Sequence, residues 1–388
     1  MRWMVCSYLA LIGCYHAPTE AACTISCVAA CPDGLECVSG MCAPIGGGCT
    51  DGGMSIDASP DSSLGEVCAG TDVFRAQLCF TGPFEDLDLD EGTIDTDNDC
   101  DVTRPQAAGQ PDLCILRGRK VNIDDDRVVT VTGSRVLVLW AETTIEVDSG
   151  AELLVNSTQG RAGPAAGDPS CSQVLTGGTG GSAGSGGAGA TFHGRGGNGG
   201  SAVGGTNAVA DISAAPLTYL RGGCGGGTGG GAAGNAGVGG GAVYLVSANT
   251  IKIDGTINAS GGNGTVASAT AGGGGGGSGG AIVFDAIGGT TVTASGQVFA
   301  LGGGGSSGGS TVSGGVGMEA QSPSMFATGG SKTGTGFGGN GSNPDLGGSG
   351  QDSPASGGGG GGGGGGSGFV RAFGPQEIPV TTVAPAIN

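Results

Sequence analysis

The residues of this chain best equipped for chemistry are its 14 cysteines, a run of aspartates between positions 86 and 101, and two histidines, His16 and His193. Six cysteines are closely spaced: Cys23, Cys27, Cys31, Cys37, Cys42 and Cys49. Thiols at that density form either a disulfide framework or a zinc site. Zinc sites made of thiolates use tighter ligand pairs, and no Cys-x-x-Cys occurs here. Bridges are therefore expected, with fifteen connectivities open for six cysteines. The later cysteines pair most simply in chain order: Cys68 with Cys79, Cys100 with Cys114, and Cys171 with Cys224. Closing the 100–114 loop contributes about 3 kcal/mol in the chain-entropy model.

The aspartates suggest a hard cation. Asp86, Asp88, Asp90, Asp95, Asp97 and Asp99 alternate with other residues, and carboxylate oxygens in that pattern can wrap calcium. The spacing departs from an EF-hand loop, because Glu91 stands where the sharp-turn glycine belongs and Gly92 follows one place late. A solvated acidic edge strand explains the same residues. Asp124-Asp125-Asp126 reads as a turn. Other chemistries lack their parts. Gly330-Ser331-Lys332-Thr333 has serine where a phosphate loop needs glycine before its lysine. A Ser–His–acid triad would have to use His16, near the N-terminus, or His193, within a glycine-rich stretch. No catalytic and no cofactor-binding residue is assigned.

At the N-terminus, one basic residue precedes an apolar run from Trp3 to Gly13, too short to cross a bilayer and patterned as a signal peptide. Leu11-Ile12-Gly13-Cys14 resembles the lipobox of bacterial lipoproteins. The resemblance implies cleavage before Cys14 and lipid attachment, including palmitate, at that residue; several acyl chains would anchor the protein stably. Cys6 then leaves with the signal, and the twelve cysteines beyond Cys14 suit an exported, oxidising setting. Cys31-Pro-Asp-Gly-Leu-Glu-Cys37-Val-Ser-Gly-Met-Cys42 is similar to small extracellular modules in which bridges replace a hydrophobic core.

The elements that would position these groups are strands. Val/Ile/Leu-rich runs at 121–123, 128–131, 135–141, 144–147 and 151–155 are separated by Gly, Asp and Ser. Further on the runs repeat. Gly241-Ala-Val-Tyr-Leu-Val is echoed by Gly280-Ala-Ile-Val-Phe-Asp, and Gly368-Phe-Val-Arg-Ala-Phe begins a truncated copy. Ile251, Ile253, Gly255, Ile257 and Ala259 share one face and match Val292, Ala294, Gly296, Val298 and Ala300 at an offset of 41. Units with a single apolar face must stack on their neighbours. The expected class is all-β: parallel β-helix or β-solenoid repeats with glycine-rich loops, behind a small disulfide-rich module. The alternatives are a β-sandwich and packed polyglycine helices.

Glycine is 93 of 388 residues, concentrated after position 150, with homopolymeric runs at 272–277 and 357–366. Glycine is costly to order and has no side chain to bury, so flexible loops are the default expectation. The alternative is a set of adjacent polyproline-II-like helices whose bare backbones hydrogen-bond to one another. Aromatics are only 4%, which argues against one large core. The net charge is −19, and 24 of the 33 acidic residues lie before position 151; such a surface repels nucleic acid. The chain divides into a signal peptide (1–13), a lipidated Cys-rich module (14–49), a polar linker (50–63), an acidic Cys-bearing segment (64–114), a strand-rich start (115–176) and glycine-rich repeats (177–388).

Taken together, the lipobox, the cysteine module and the glycine-rich strand repeats resemble the glycine-rich surface lipoproteins of myxobacterial type. That resemblance implies location at the outer membrane or cell surface and a repeat architecture, and carries no activity. The expected function is a membrane-anchored structural or adhesive surface protein without catalysis. The alternatives are a module binding an envelope glycan or surface protein, and a polysaccharide-acting enzyme on a β-helix. The partners expected are the membrane, through the lipid, and a glycan or surface protein.

Overall fold

A computed structural model describes residues 35–38, 41–44, 65–70, 77–167, 171, 176–177, 179–180, 183–211, 217–231, 234–265, 268–342, 345–354, 357–379 and 381–387. Cys14 and the side chains of Cys23, Cys27, Cys31, Cys37, Cys42 and Cys49 lie outside the described set. Contacts divide the chain into two units, Met1–Ser63 and Leu64–Asn388. In the first, β1 (Leu35–Val38) and β2 (Met41–Pro44) form an antiparallel hairpin with Cys37 opposite Cys42.

Every regular element described in the second unit is a strand. A hairpin of β3 (Glu66–Ala69) and β4 (Leu78–Thr81) comes first. The short strands β5 (Leu87–Asp88), β6 (Gly92–Asp95) and β7 (Val102–Arg104) follow. The long strands β8 (Leu113–Ile123) and β10 (Val136–Val147) lie parallel, with β9 (Val128–Thr132) between them in sequence and β11 (Glu152–Leu154) after. A small hairpin, β12 (Thr179–Gly180) with β13 (Ala183–Gly184), precedes the later rows. Those rows are β14 (Ala242–Ser247), β15 (Thr250–Ile253), β16 (Thr256–Asn258), then β17 (Ala281–Ala286), β18 (Gly289–Val292), β19 (Gln297–Phe299), then β20 (Phe369–Phe373), β21 (Gln376–Glu377) and β22 (Val383–Ala384).

These strands fall into three columns of parallel neighbours. The first runs through β8, the N-terminal half of β10, β14, β17 and β20. The second contains the C-terminal halves of β8 and β10, then β15, β18 and β21. The third is β6, β9, β11, β16, β19 and β22. An antiparallel β-sandwich is thereby excluded: adjacent rows run the same way, and the chain returns between them by long crossovers.

Alternation sets the faces. Leu137 and Leu139, Val243 and Leu245, and Ile282 and Phe284 project to one side of the first column. There they meet Ile145, Ile251, Ile253, Leu153, Ile257 and Val298 from the other two columns in one core. The opposite side of the first column presents Val138, Trp140, Tyr244 and Val283, covered by Phe80, Phe192, Leu217 and Leu220. Both faces are therefore buried, which is why β14 and β17 read as continuous apolar runs.

One register differs from the sequence expectation. Ile257 lies opposite Val298, 41 residues on, but Ile253 lies opposite Val292, only 39 residues on, and Ile251 faces Thr290. Two extra residues in the turn after Val292 account for the change. Ala294 sits in that turn, exposed, instead of in the core, and Ser149 is likewise exposed in the turn after Val147.

The glycine segments leave from the end of the third column and return to the start of the first. In their described residues the long glycine runs are not flexible loops but hydrogen-bonded extended backbones. Residues 184, 187 and 190 donate to the carbonyls of 270, 273 and 276; 273, 276 and 279 donate to 360, 363 and 366; 360, 363 and 366 donate back to 184, 187 and 190, all at 2.8–3.0 Å. A period of three is that of polyproline II.

The homopolymeric runs occupy the crowded positions. Around 272–280 lie the segments 184–190, 223–230, 234–241, 259–264, 302–309 and 359–366. A Cβ on Gly275 would stand 2.0 Å from the Ala188 carbonyl oxygen, and one on Gly364 1.7 Å from that of Asn340. Only glycine allows these backbones to approach so closely. At the rim the pattern relaxes to Arg195-Gly-Gly-Asn198-Gly-Gly-Ser201, with glycine pairs buried and every third residue turned toward solvent.

Candidate functional site

The three expected bridges in the described region are present: Cys68–Cys79, Cys100–Cys114 and Cys171–Cys224. Each holds a different layer. The first closes the β3–β4 hairpin, and the second ties the acidic segment to the buried start of β8. The third fixes the 164–224 excursion, where the Arg221 guanidinium packs over Phe192 at 4.4 Å with Nη1 3.3 Å from Cys171 Sγ. Bonds of this kind belong to a chain that folds in an oxidising, exported environment.

The six aspartates named as calcium ligands are not brought together. The strand pattern splits them between two columns, β5 in the second and β6 in the third. Asp86 makes a two-pronged ion pair with Arg119 at 2.6 and 2.9 Å, which holds its carboxyl below the ordinary value. Asp88 and Asp90 are exposed. Asp95 accepts the Asp97 N–H at 3.0 Å and the Asn98 amide at 2.6 Å, and these bonds hold its carboxyl low as well. Asp99 accepts the Asp95 N–H at 2.7 Å, and Asp97 accepts the Ser134 N–H and hydroxyl. Asp95, Asp97 and Asp99 thus cap backbone. Among the described residues, the one group of three potential metal ligands within reach of each other is Glu66 with Cys68 and Cys79, whose sulfurs are bonded to one another.

The acidic turn at 124–126 faces Asp148. Partial burial, then Glu146 and Asp125, push the Asp148 carboxyl up, and Lys120 opposes them from its pair with Glu146 at 2.6 Å. His193 lies tilted against the Phe369 ring at 4.6 Å, half-buried.

A cavity absent from the sequence reading lies where the glycine lattice meets the end of the third column. It is a half-open cleft of about 460 Å³, lined by the turn Thr158–Gly160, by Asn235–Val238, and by Asn263 and Thr265. The turn is a single bridged pair, Thr158 with Arg161. It is braced from outside the cavity: the Gln159 N–H donates to Glu319 at 3.2 Å, and Arg161 Nη2 donates to Asn156 Oδ1 at 2.8 Å. Burial holds the Arg161 guanidinium below its ordinary value and pushes the Glu319 carboxyl up. The lining side chains are amides, hydroxyls and small apolar groups, so the cavity offers hydrogen bonds without ionic charge. No local motif marks it, because its walls come from three stretches of two separate excursions, the start and end of the one between β11 and β14 and the start of the one between β16 and β17.

Comparison with protein-family models, curated proteins and solved structures finds no match to this chain.

Proposed function

We propose that this chain is an exported, lipid-anchored protein of the cell surface with a structural or adhesive, non-catalytic role. In this reading its parallel rows are the coils of a β-solenoid that carries a rigid glycine lattice. The observation that carries it is the hydrogen-bond cycle linking 184–190, 270–279 and 360–366. A flexible glycine tract would only lengthen a tether. A lattice that continues the sheet, as Val155 does by donating to Asn258 and Ala259 by donating to Phe299, holds a surface in fixed geometry. The resemblance to glycine-rich surface lipoproteins of myxobacterial type and the Leu11-Ile12-Gly13-Cys14 stretch support the anchor. The three disulfides support export. Structural bonds made by Asp86, Asp95 and Asp285 support a role carried by shape.

The test is metabolic palmitate labelling of cells expressing the full chain or Cys14→Ser, combined with proteolysis of intact and broken cells. The expected result is label and membrane partition in the wild type, both lost in C14S, with cleavage of the wild type on intact cells. Unlabelled wild type that partitions like C14S would overturn the anchor. Protection from protease until cells are broken would overturn the surface location.

A further inference from the structure

We infer that the cavity framed by Asn235, Val238, Asn263 and the Thr158–Arg161 turn is a binding site for a neutral carbohydrate of one or two sugar residues. The inference goes beyond the anchored-scaffold reading and does not depend on it.

The argument begins with why the cavity exists. Val155 and Ser157 donate to the Asn258 and Ser260 carbonyls at 2.9 Å, and Gly241 donates to the Val155 carbonyl at 2.8 Å. An extended segment here thus lies in a slot between 234–241 and 259–264. Continued further, it would meet Val238 and Asn263. Instead the chain folds back at Thr158–Arg161 and leaves the slot. Among the described residues, the N–H groups of Val238 and Asn263 have no hydrogen-bond partner, a state the lattice also shows at Ala188 and Gly239, and here they border the cavity. Asn263 is only 5% exposed, and its side chain makes a single weak bond, Nδ2 to the Gly264 carbonyl at 3.4 Å. Buried polar groups are normally satisfied by protein or by ordered water, so donors left open on a cavity wall are available to a bound ligand.

The other walls define that partner. Gln159 and Asn235 present side-chain amides that make no protein hydrogen bond among the described residues. An amide offers a donor and an acceptor side by side, which matches a pair of neighbouring hydroxyls. Val238 adds an apolar patch for the C–H face of a ring. No lining side chain is charged, so an ionic ligand would lose its hydration without compensation. The span from Asn235 to Val238 is about 9 Å at roughly 3.1 Å per residue, which suits one or two pyranose rings and gives a peptide little purchase. The walls are preformed: Gly237 donates to Gly275 at 2.8 Å and Gly262 to Val238 at 2.8 Å, so ordering them on binding costs little.

The experiment is calorimetry and NMR titration of the oxidised full-length protein. The probes are neutral disaccharides of glucose, galactose, mannose and N-acetylglucosamine, a glucuronate-containing and a sulfated disaccharide, and the peptide Gly-Gly-Asn-Gly-Gly. The expected result is saturable binding of at least one neutral disaccharide in preference to the charged ones and the peptide. Gln159→Ala and Asn235→Ala, both at exposed positions, should each weaken it about tenfold or more, while Thr93→Ala leaves it unchanged. Amide shifts should centre on Val238 and Asn263. Asn263→Ala should abolish binding; should it unfold the protein, the two exposed variants decide. Four results would overturn the inference: saturation by none of the neutral sugars, preference for a charged sugar, preference for the peptide, or neutral-sugar binding indifferent to both exposed variants. None of these bears on palmitate labelling at Cys14.

Discussion

The Tyr244 hydroxyl donates to Asp285 Oδ2 at 2.8 Å, and both residues are buried on the same side of adjacent rows. The bond is diagonal, since Tyr244 stands opposite Val283 and Asp285 opposite Val246. It ties β14 to β17 beneath the cover formed by Phe192 and Leu220. A buried acceptor left without its donor costs about 1–3 kcal/mol. Tyr244→Phe should destabilise the second unit by that amount, read from denaturant midpoints at unchanged slope. A loss below 0.5 kcal/mol would show that the pair does not join the rows.

The core makes a sharper demand at Ile257, fully buried and opposite Val298. Ile257→Asp places a carboxylate among aliphatic side chains and should cost several kcal/mol or prevent folding. Ile257→Val, which keeps the site apolar, should cost about 1 kcal/mol. Lys252, exposed and paired with Asp254, should tolerate alanine with little or no loss, as exposed ion pairs do. Equal small effects at both positions would contradict a shared interior for the three columns.

The glycine lattice predicts slow amide exchange where a linker would exchange at once. The Gly275 and Gly276 amides donate to Gly227 and Gly363 at 2.8 and 2.9 Å. Their protection should approach that of β14 in native-state exchange. Gly275→Ala, with its Cβ 2.0 Å from a backbone oxygen, should disrupt the lattice. Gly109→Ala, at φ +83 in open space, should cost only the strain of its left-handed backbone, about 1 kcal/mol.

Removing bridges should cost in order of loop length. Cys171–Cys224 closes 53 residues and Cys100–Cys114 closes 14, which corresponds to about 4 and about 3 kcal/mol in the chain-entropy model. Double Cys→Ala variants measured by chemical denaturation check the order.

Two carboxylates respond to pH in opposite senses. Asp95 is held below its ordinary 3.8 by the Asp97 N–H and the Asn98 amide. Its contribution is present above that value and is lost as pH falls through its folded pKa, so the turn at 95–99 should open in acid. Glu319 is raised above 4.5 by burial. The folded state favours its neutral form, so its contribution is greatest below 4.5 and declines as pH rises through its folded pKa. Carboxyl NMR titrations give both directions, and Glu319→Gln should remove the second slope while Asp95→Asn removes the first.

The sequence by itself determined the strands of 128–155 and of the later rows, the apolar face of Ile251, Ile253 and Ile257, and the bridges of Cys68, Cys100 and Cys171 with the next cysteine along, but of β8 only residues 121–123, and none of β3–β7, β12 and β13. The strands and the two short bridges are legible because alternation and short loops are properties of neighbouring residues, and Cys171–Cys224 because these are the last two cysteines of the chain. Tertiary structure decided the rest. Two extra residues after Val292 changed the register and left Ala294 in solvent, a difference visible only once rows are paired. The aspartates of 86–99 are kept apart because the column boundary falls inside their run: Asp86 pairs with Arg119, and Asp95, Asp97 and Asp99 cap backbone. The runs at 272–277 and 357–366 carry no side-chain pattern, so their own residues cannot distinguish a loop from a lattice; the distinction lies in carbonyls from distant segments that crowd the Cα atoms of 272–277 and 359–366. A hint was present at the rim, where the Gly-Gly-x period of 195–201 matches the three-residue turn of polyproline II. The cavity beside Asn263 had no such hint, because it is made where a strand stops and two unrelated segments continue.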